Sequence, residues 1–193
     1  STAAIRQAAL LVCPTRDDIP GLRELVPQER ILHLPPFLDL EPYRSAGAAR
    51  EENRARLARE HKLDAGVPWI AVVAMMRHGD KLASYRALAA TLARVADLPW
   101  RLVVVGDGPA RAEVRTALES AVPGRTVFLG EVKTRDIAPV YAACDLTVWP
   151  AINEAYGMAL LEAQAAGLPV LSRATRGVPD VVADGETGIL VKD

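Results

Sequence analysis

Between residues 69 and 173 the chain alternates two patterns of apolar and polar positions. Short continuous apolar runs rich in β-branched residues, WIAVVAMM (69–76), RLVVVG (101–106), TVFLG (126–130), DLTVWP (145–150) and LPVLSR (168–173), are separated by segments with apolar positions at helical spacing. The clearest of these predicts a helix over 82–96, with Tyr85, Leu88, Leu92 and Val95 on one face. An apolar run without polar alternation is a strand covered on both faces, and strands alternating with helices predict a parallel sheet. The expected fold class is therefore α/β, a doubly wound, Rossmann-like parallel sheet. Ligands of such sheets sit beyond the carboxyl ends of the strands, so the loops RHGDK, GDGPARAE, GEVKTRD and AINEAYG are where chemistry is to be sought.

Upstream the pattern changes. AALLVC and RILHL read as strands, LPPFLDLEPYRSAGAA as a linker rich in proline and small residues, and REENRARLAREHKL as a charged helix. This divides the chain into residues 1–45, a fragment of another unit with a linker, and 46–193, the main domain.

Charge narrows the partners. With 23 basic and 24 acidic residues in 193, the net charge is −1, and there is no overall footprint for nucleic acid or an anionic membrane. An anionic ligand then needs a local site. Cys13 and Cys144 form no CxxC pair and read as buried thiols in a reducing compartment, which points to the cytoplasm. No apolar run reaches the roughly 18 residues of a membrane span, and the start STAAIRQAALLVCP lacks signal-peptide character.

Within the first loop, Lys81 stands at the start of a helix beside Arg77 and His78, although a cation is disfavoured at the positive end of the helix dipole. A bound anion would remove the conflict, and a guanidinium with an ammonium suits phosphate oxygens; otherwise both project into water. His78 reads as a solvated loop residue. Gly106 and Gly108 begin like a dinucleotide fingerprint, but Arg111 occupies the third glycine position, so the turn is read as close packing or a ligand contact. In NEAYGMALLEAQAAGLPV a helix starting near Ala155 or Tyr156 would aim the amides of Tyr156, Gly157, Met158 and Ala159 at the strand ends.

On that helix Met158, Leu161, Ala165 and Leu168 form the expected core stripe, while Glu162 shares a face with Ala155, Ala159 and Ala166. A carboxylate above alanines can accept a hydrogen bond from each hydroxyl of a vicinal diol. Glu154, eight residues earlier, suits a sugar hydroxyl, and on a continuous helix the two would lie about 12 Å apart, too far to act on one bond. Each is also explained structurally, by the helix dipole for Glu154 and by solvation for Glu162. The chain holds no DxD, and His33, His61 and His78 are separated, so no metal is expected.

Taken together, NEAYGMALLEAQAAGLPVLSRATRGVPDVVADGETGILV resembles the nucleotide-sugar-binding signature of family 4 glycosyltransferases, retaining enzymes of the GT-B fold. Its usual form is EGFG, a second glutamate, AxAxGxPV and a DGxTGxLV ending. VVVGDGP, FLGEV and the two cations of MMRHGDK follow the family's order, and the resemblance covers about residues 66–193. It implies the C-terminal half of a GT-B enzyme. Arg77 and Lys81 would hold the donor diphosphate, Glu154 a hydroxyl of the transferred sugar, and Glu162 the ribose. Tyr156, Gly157, Met158 and Ala159 would contact sugar and phosphate through their backbone, and the loop of Glu131, Val132 and Lys133 would flank the base.

Ala155 and Tyr156 replace the family's glycine and phenylalanine, and Arg77 and Lys81 are four apart where five is common. ERILHLPPFLDLEPY resembles the passage out of the acceptor-binding domain, so most of that domain, and the C-terminal helices, are expected to be missing. The reading is thus the donor-binding half of a retaining glycosyltransferase using a UDP- or GDP-sugar, with no cofactor or metal, and inactive alone. Any membrane contact would be peripheral, through the missing domain. The rivals are a sugar-nucleotide epimerase or phosphorylase-like enzyme of the same fold, and a noncatalytic nucleotide-sugar-binding module.

Overall fold

The computed structural model describes residues 2–192. A small unit comes first: helix α1 (Thr2–Gln7), strand β1 (Leu11–Cys13), the short helix α2 (Ile19–Arg23) and strand β2 (Ile31–His33). β1 and β2 pair in parallel, Leu11 opposite Ile31 and Cys13 opposite His33. One face buries Cys13, Val26 and Ile31, whereas Val12 and Leu32, 57% and 46% exposed, face outward.

The stretch expected to be a linker is partly helical. Its second half forms α3 (Glu41–Ala48), whose Tyr43 and Ala46 are buried in the larger core, and the charged helix α4 (Arg50–His61) follows. Both arginines on the inner side of α4 reach Asp145: Arg50 at 2.6 Å and Arg54 at 3.0 Å, with Arg54 also stacked 4.3 Å from the Trp69 ring. The same carboxylate accepts the Trp69 amide at 2.7 Å. Apolar contact is sparse on α4, Leu57 being its buried residue, so these charge-assisted bonds do much of the attachment.

The main domain then runs β3 (Trp69–Val73), α5 (Asp80–Ala93), β4 (Arg101–Val105), α6 (Arg111–Ala121), β5 (Thr126–Gly130), α7 (Ile137–Ala143), β6 (Leu146–Trp149), α8 (Met158–Ala165), β7 (Val170–Arg173) and β8 (Gly188–Val191). All six strands are parallel, in the order β5-β4-β3-β6-β7-β8. The chain starts in the middle of the sheet, winds outward through β4 and β5, and returns to wind the other way. The switch point lies between β3 and β6, and the loops leaving those two strands diverge there, opening a crevice.

All five expected strands are present. β3 ends at Val73 rather than residue 76, because the next residues leave the sheet and bond to the turn after β4: Met76 N donates to Asp107 O at 2.8 Å and Ala110 N to Met76 O at 2.8 Å. The helix expected over 82–96 is α5, starting at Asp80; Val95 lies in the turn beyond it, 37% exposed and outside the core. Strand β8 is not predicted by the apolar pattern. Both cysteines are buried free thiols, and burial, followed by the nearby Asp145 charge, pushes the Cys144 thiol up to about 12. Among the described residues no helix is long and apolar enough to cross a membrane.

Candidate functional site

The crevice at the switch point holds a cavity of about 630 Å³. Its walls are the loops after β3, β4, β5 and β6 and the first turns of α8. The loop after β6 is unusual in its backbone. Ala151 (φ 56°) and Asn153 (φ 51°) are left-handed without being glycine, and Gly157 (φ 92°) precedes the helix. Such residues persist only where their surroundings over-determine them. Here Ser172 Oγ donates to Trp149 O at 2.8 Å, the Ile152 amide donates to Ser84 Oγ at 3.0 Å, and Asn153 Nδ2 donates to Asp80 Oδ2 at 2.9 Å.

Helix α8 begins at Met158, later than expected, with Gly157 as its cap. Leu160 N bonds back to Gly157 O at 2.8 Å, and the first-turn amides of Met158 and Ala159 have no acceptor inside the helix. The expected core stripe is corrected in every member but Leu168. Met158 is 38% exposed and Leu161 and Ala165 are only partly buried; Leu160 and Ala163, with Leu168 beyond the helix, take the core positions. Ala155, Ala159 and Glu162 do face the cavity together, while Ala166 is not among its walls. Glu154 lies in the loop before the helix, so the helical rise does not set its distance from Glu162.

Nine of the anticipated residues line this one cavity: Lys81, Glu131, Val132, Glu154, Tyr156, Gly157, Met158, Ala159 and Glu162. Arg77 and Lys133 are exposed and do not line it. His78 is a 61% exposed side chain whose Nδ1 lies 3.8 Å from Glu113.

The cation at the positive end of α5 has its anion in the chain itself. Lys81 Nζ forms an ion pair with Glu154 Oε2, the two side chains only 17% and 15% exposed, although 73 residues separate them. Trp149 supports the pair from below. Its Nε1 donates to the same carboxylate oxygen at 3.2 Å, and Lys81 Nζ stands 5.5 Å from its ring centroid. Trp149 is in turn held edge-on against Tyr85, centroids 5.1 Å apart. Trp149 ends a strand that was read as core, and nothing local marks it as a site residue.

Behind the cavity wall, Tyr141 Oη lies 3.0 Å from Ala159 O and 3.2 Å from Glu162 Oε2, sharing its one proton between two acceptors. Burial raises the Glu162 carboxyl above its ordinary range, and the Tyr141 hydrogen bond partly offsets this. Burial, followed by the same charge, pushes the Tyr43 hydroxyl of α3 up to about 12.

A family model described as "Glycosyl transferases group 1" matches residues 67–193. The chain belongs to this family. The matched span contains every wall of the cavity. Among curated proteins the chain is similar to the D-inositol 3-phosphate glycosyltransferase of Rhodococcus erythropolis, 33% identical over 199 residues, covering 97% of this chain and 43% of that protein. It thus spans less than half the length of that relative. Its fold matches a glycosyltransferase of Rickettsia africae with TM-score 0.84 at 15% identity, over 99% of this chain and 52% of that one. It also matches Anabaena HepE, solved with UDP and glucose, with TM-score 0.75 at 20% identity, over 98% and 50% of the two chains. At these identities the two structures speak for the fold.

Raising the Glu162 pKa means that its charged form opposes folding. The stability it costs is absent below the ordinary carboxylate range and is felt as pH rises through the raised value. Glu162→Gln is therefore expected to raise the melting temperature at pH 7–8, with the difference vanishing near pH 4. Melting curves across this range check it; a variant less stable than the parent at pH 8 would contradict the burial argument.

Proposed function

We propose that the cavity binds a nucleotide-diphosphate sugar such as a UDP- or GDP-sugar, and that the protein to which this domain belongs is a retaining glycosyltransferase. The meeting of Lys81 and Glu154 beside the N-terminus of α8, at the sheet's switch point, carries the reading. Glu154 Oε2 is occupied by Lys81 and Trp149, leaving Oε1 to accept from a sugar hydroxyl. Lys81 spends one of three donors on Glu154 and keeps the others for phosphate oxygen.

The amides of Met158 and Ala159 add donors at the positive end of a helix, where a diphosphate is favoured. Glu162, on the same wall, takes the ribose diol, and the loop of Glu131 and Val132 flanks the base. In this arrangement negative charge developing on the leaving diphosphate is stabilised by Lys81 and helix amides, with Arg77 as a second cation once its exposed side chain turns inward, and no metal is required. The buried thiols suit a reducing, cytoplasmic compartment. The exposed apolar face of Val12 and Leu32 suits continuation into an acceptor-binding domain, through which any membrane contact would be made.

Calorimetry of this chain with UDP, GDP and ADP tests the reading. Weak binding of one of them is expected, without sugar transfer by the chain alone. A folded sample that takes up none of the three would sink it. Glu162→Ala should weaken the bound nucleotide by about 1.5–3 kcal/mol, the value of a charge-assisted hydrogen bond.

A further inference from the structure

Arg176 lies outside the cavity, in the loop after β7, and holds a left-handed backbone (φ 43°) that its side chain does not favour. Its guanidinium spreads over three partners from two distant segments. Nε reaches Asp17 Oδ2 at 3.4 Å, Nη2 reaches Asp18 Oδ1 at 3.3 Å, and Nη1 donates to Asn153 Oδ1 at 3.2 Å. Asn153, left-handed as well, passes the connection on by donating to Asp80 at the start of α5. Asp80 and Asn153 are the chain neighbours of Lys81 and Glu154.

The loop after β7 is also wedged into place by its backbone. A Cβ at Gly177 would stand 2.2 Å from Ala155 O and 2.7 Å from Thr15 Cγ2, so this turn touches both the loop bearing Glu154 and the loop after β1. Two strained residues joined by a side-chain bond, Asn153 next in sequence to Glu154 and Arg176 one contact further out, are arranged to fix a geometry rather than to bind a ligand.

We propose that Arg176 and Asn153 are positioning residues: they brace the loop of Glu154 against α5 on one side and against Asp17 and Asp18 of the small unit on the other, and so set where Glu154 meets the donor sugar. This rests on the donor-site reading above and goes beyond it. The brace acts on the sugar end of the ligand, because Glu154 does; Glu162 and the base loop receive nothing from it.

The test compares UDP with UDP-glucose, and GDP with GDP-mannose, in the parent chain and in Arg176→Gly and Asn153→Gly. Glycine accepts the left-handed backbone at both sites, so each variant deletes the side-chain bonds without adding strain. Relative to the diphosphate alone, affinity for the nucleotide sugar is expected to fall about 5- to 10-fold in either variant, with diphosphate affinity unchanged. In a Glu154→Gln background Arg176→Gly should produce no further fall, because both changes remove the same contact. An unchanged ratio of sugar-nucleotide to diphosphate affinity, an equal loss for both ligands, or a loss that simply adds to that of Glu154→Gln would overturn the brace. Absence of all nucleotide binding in the folded parent would instead overturn the donor site, and the brace with it.

Discussion

Lys81→Met is expected to weaken binding of the nucleoside diphosphate about 10- to 100-fold, the range of a lost charge-assisted hydrogen bond. Two effects act in the same direction. The phosphate loses its ammonium, and the Glu154 carboxylate, only 15% exposed, loses its counter-charge and faces the phosphates unneutralised. The double variant Lys81→Met, Glu154→Gln removes that second effect, so it should bind diphosphate more tightly than the single variant though less tightly than the parent. Sugar transfer by the protein bearing this domain should fall further than binding, by about 10²–10³-fold, because stabilisation of charge on the leaving group is greatest in the transition state. Titration calorimetry of the three proteins decides it; identical affinities in parent and single variant would remove Lys81 from the phosphate site.

The central strands were legible because fully buried parallel strands are continuous apolar runs, and Val72, Val103 and Val104 need no tertiary information to declare themselves. β8 was not, since it lies at the sheet edge with Ile189 62% and Val191 50% exposed and follows a turn-rich stretch. The phase of α8 is illegible in the sequence for another reason. MALLEAQA is apolar around most of its circumference, so periodicity cannot choose the buried face, and packing of Leu160 and Ala163 into the core decides it.

The site divides in the same way. Lys81 broke a local electrostatic rule, and Glu154 and Glu162 broke an alanine-rich background, so each showed itself alone. Their pairing did not: each was expected to meet a ligand, and the bond between Lys81 and Glu154 depends on β3 and β6 being sheet neighbours. Trp149, Tyr141, Asn153 and Arg176 act through contacts with residues distant in sequence or as ordinary core and loop residues, and no spacing rule exposes them.

Gly106→Ala is expected to cost about 3–5 kcal/mol of folding stability, a large part of what a domain of this kind has. Gly106 follows β4 at φ 138°, and a Cβ there would lie 2.0 Å from Ala74 O and 2.9 Å from Ala74 C. The clash is with backbone, and that backbone cannot yield locally. Ala74 N bonds to Val105 O at 3.1 Å, Gly106 N bonds to Gly130 O at 2.8 Å, and Ala74 O accepts the hydroxyl of the fully buried Tyr85 at 2.8 Å. Relief therefore requires moving Tyr85, which packs on Trp149, which in turn holds Glu154. The substitution should thus loosen the cavity as well as the sheet. Gly124→Ala separates the clash from the backbone preference: Gly124 also has a left-handed backbone, at φ 68°, but open space where the Cβ would go, so about 1 kcal/mol is expected. Urea unfolding of both variants measures the difference; a Gly106 variant no less stable than the Gly124 variant would show that the turn after β4 can shift, and that the glycines of GDG serve something other than close packing.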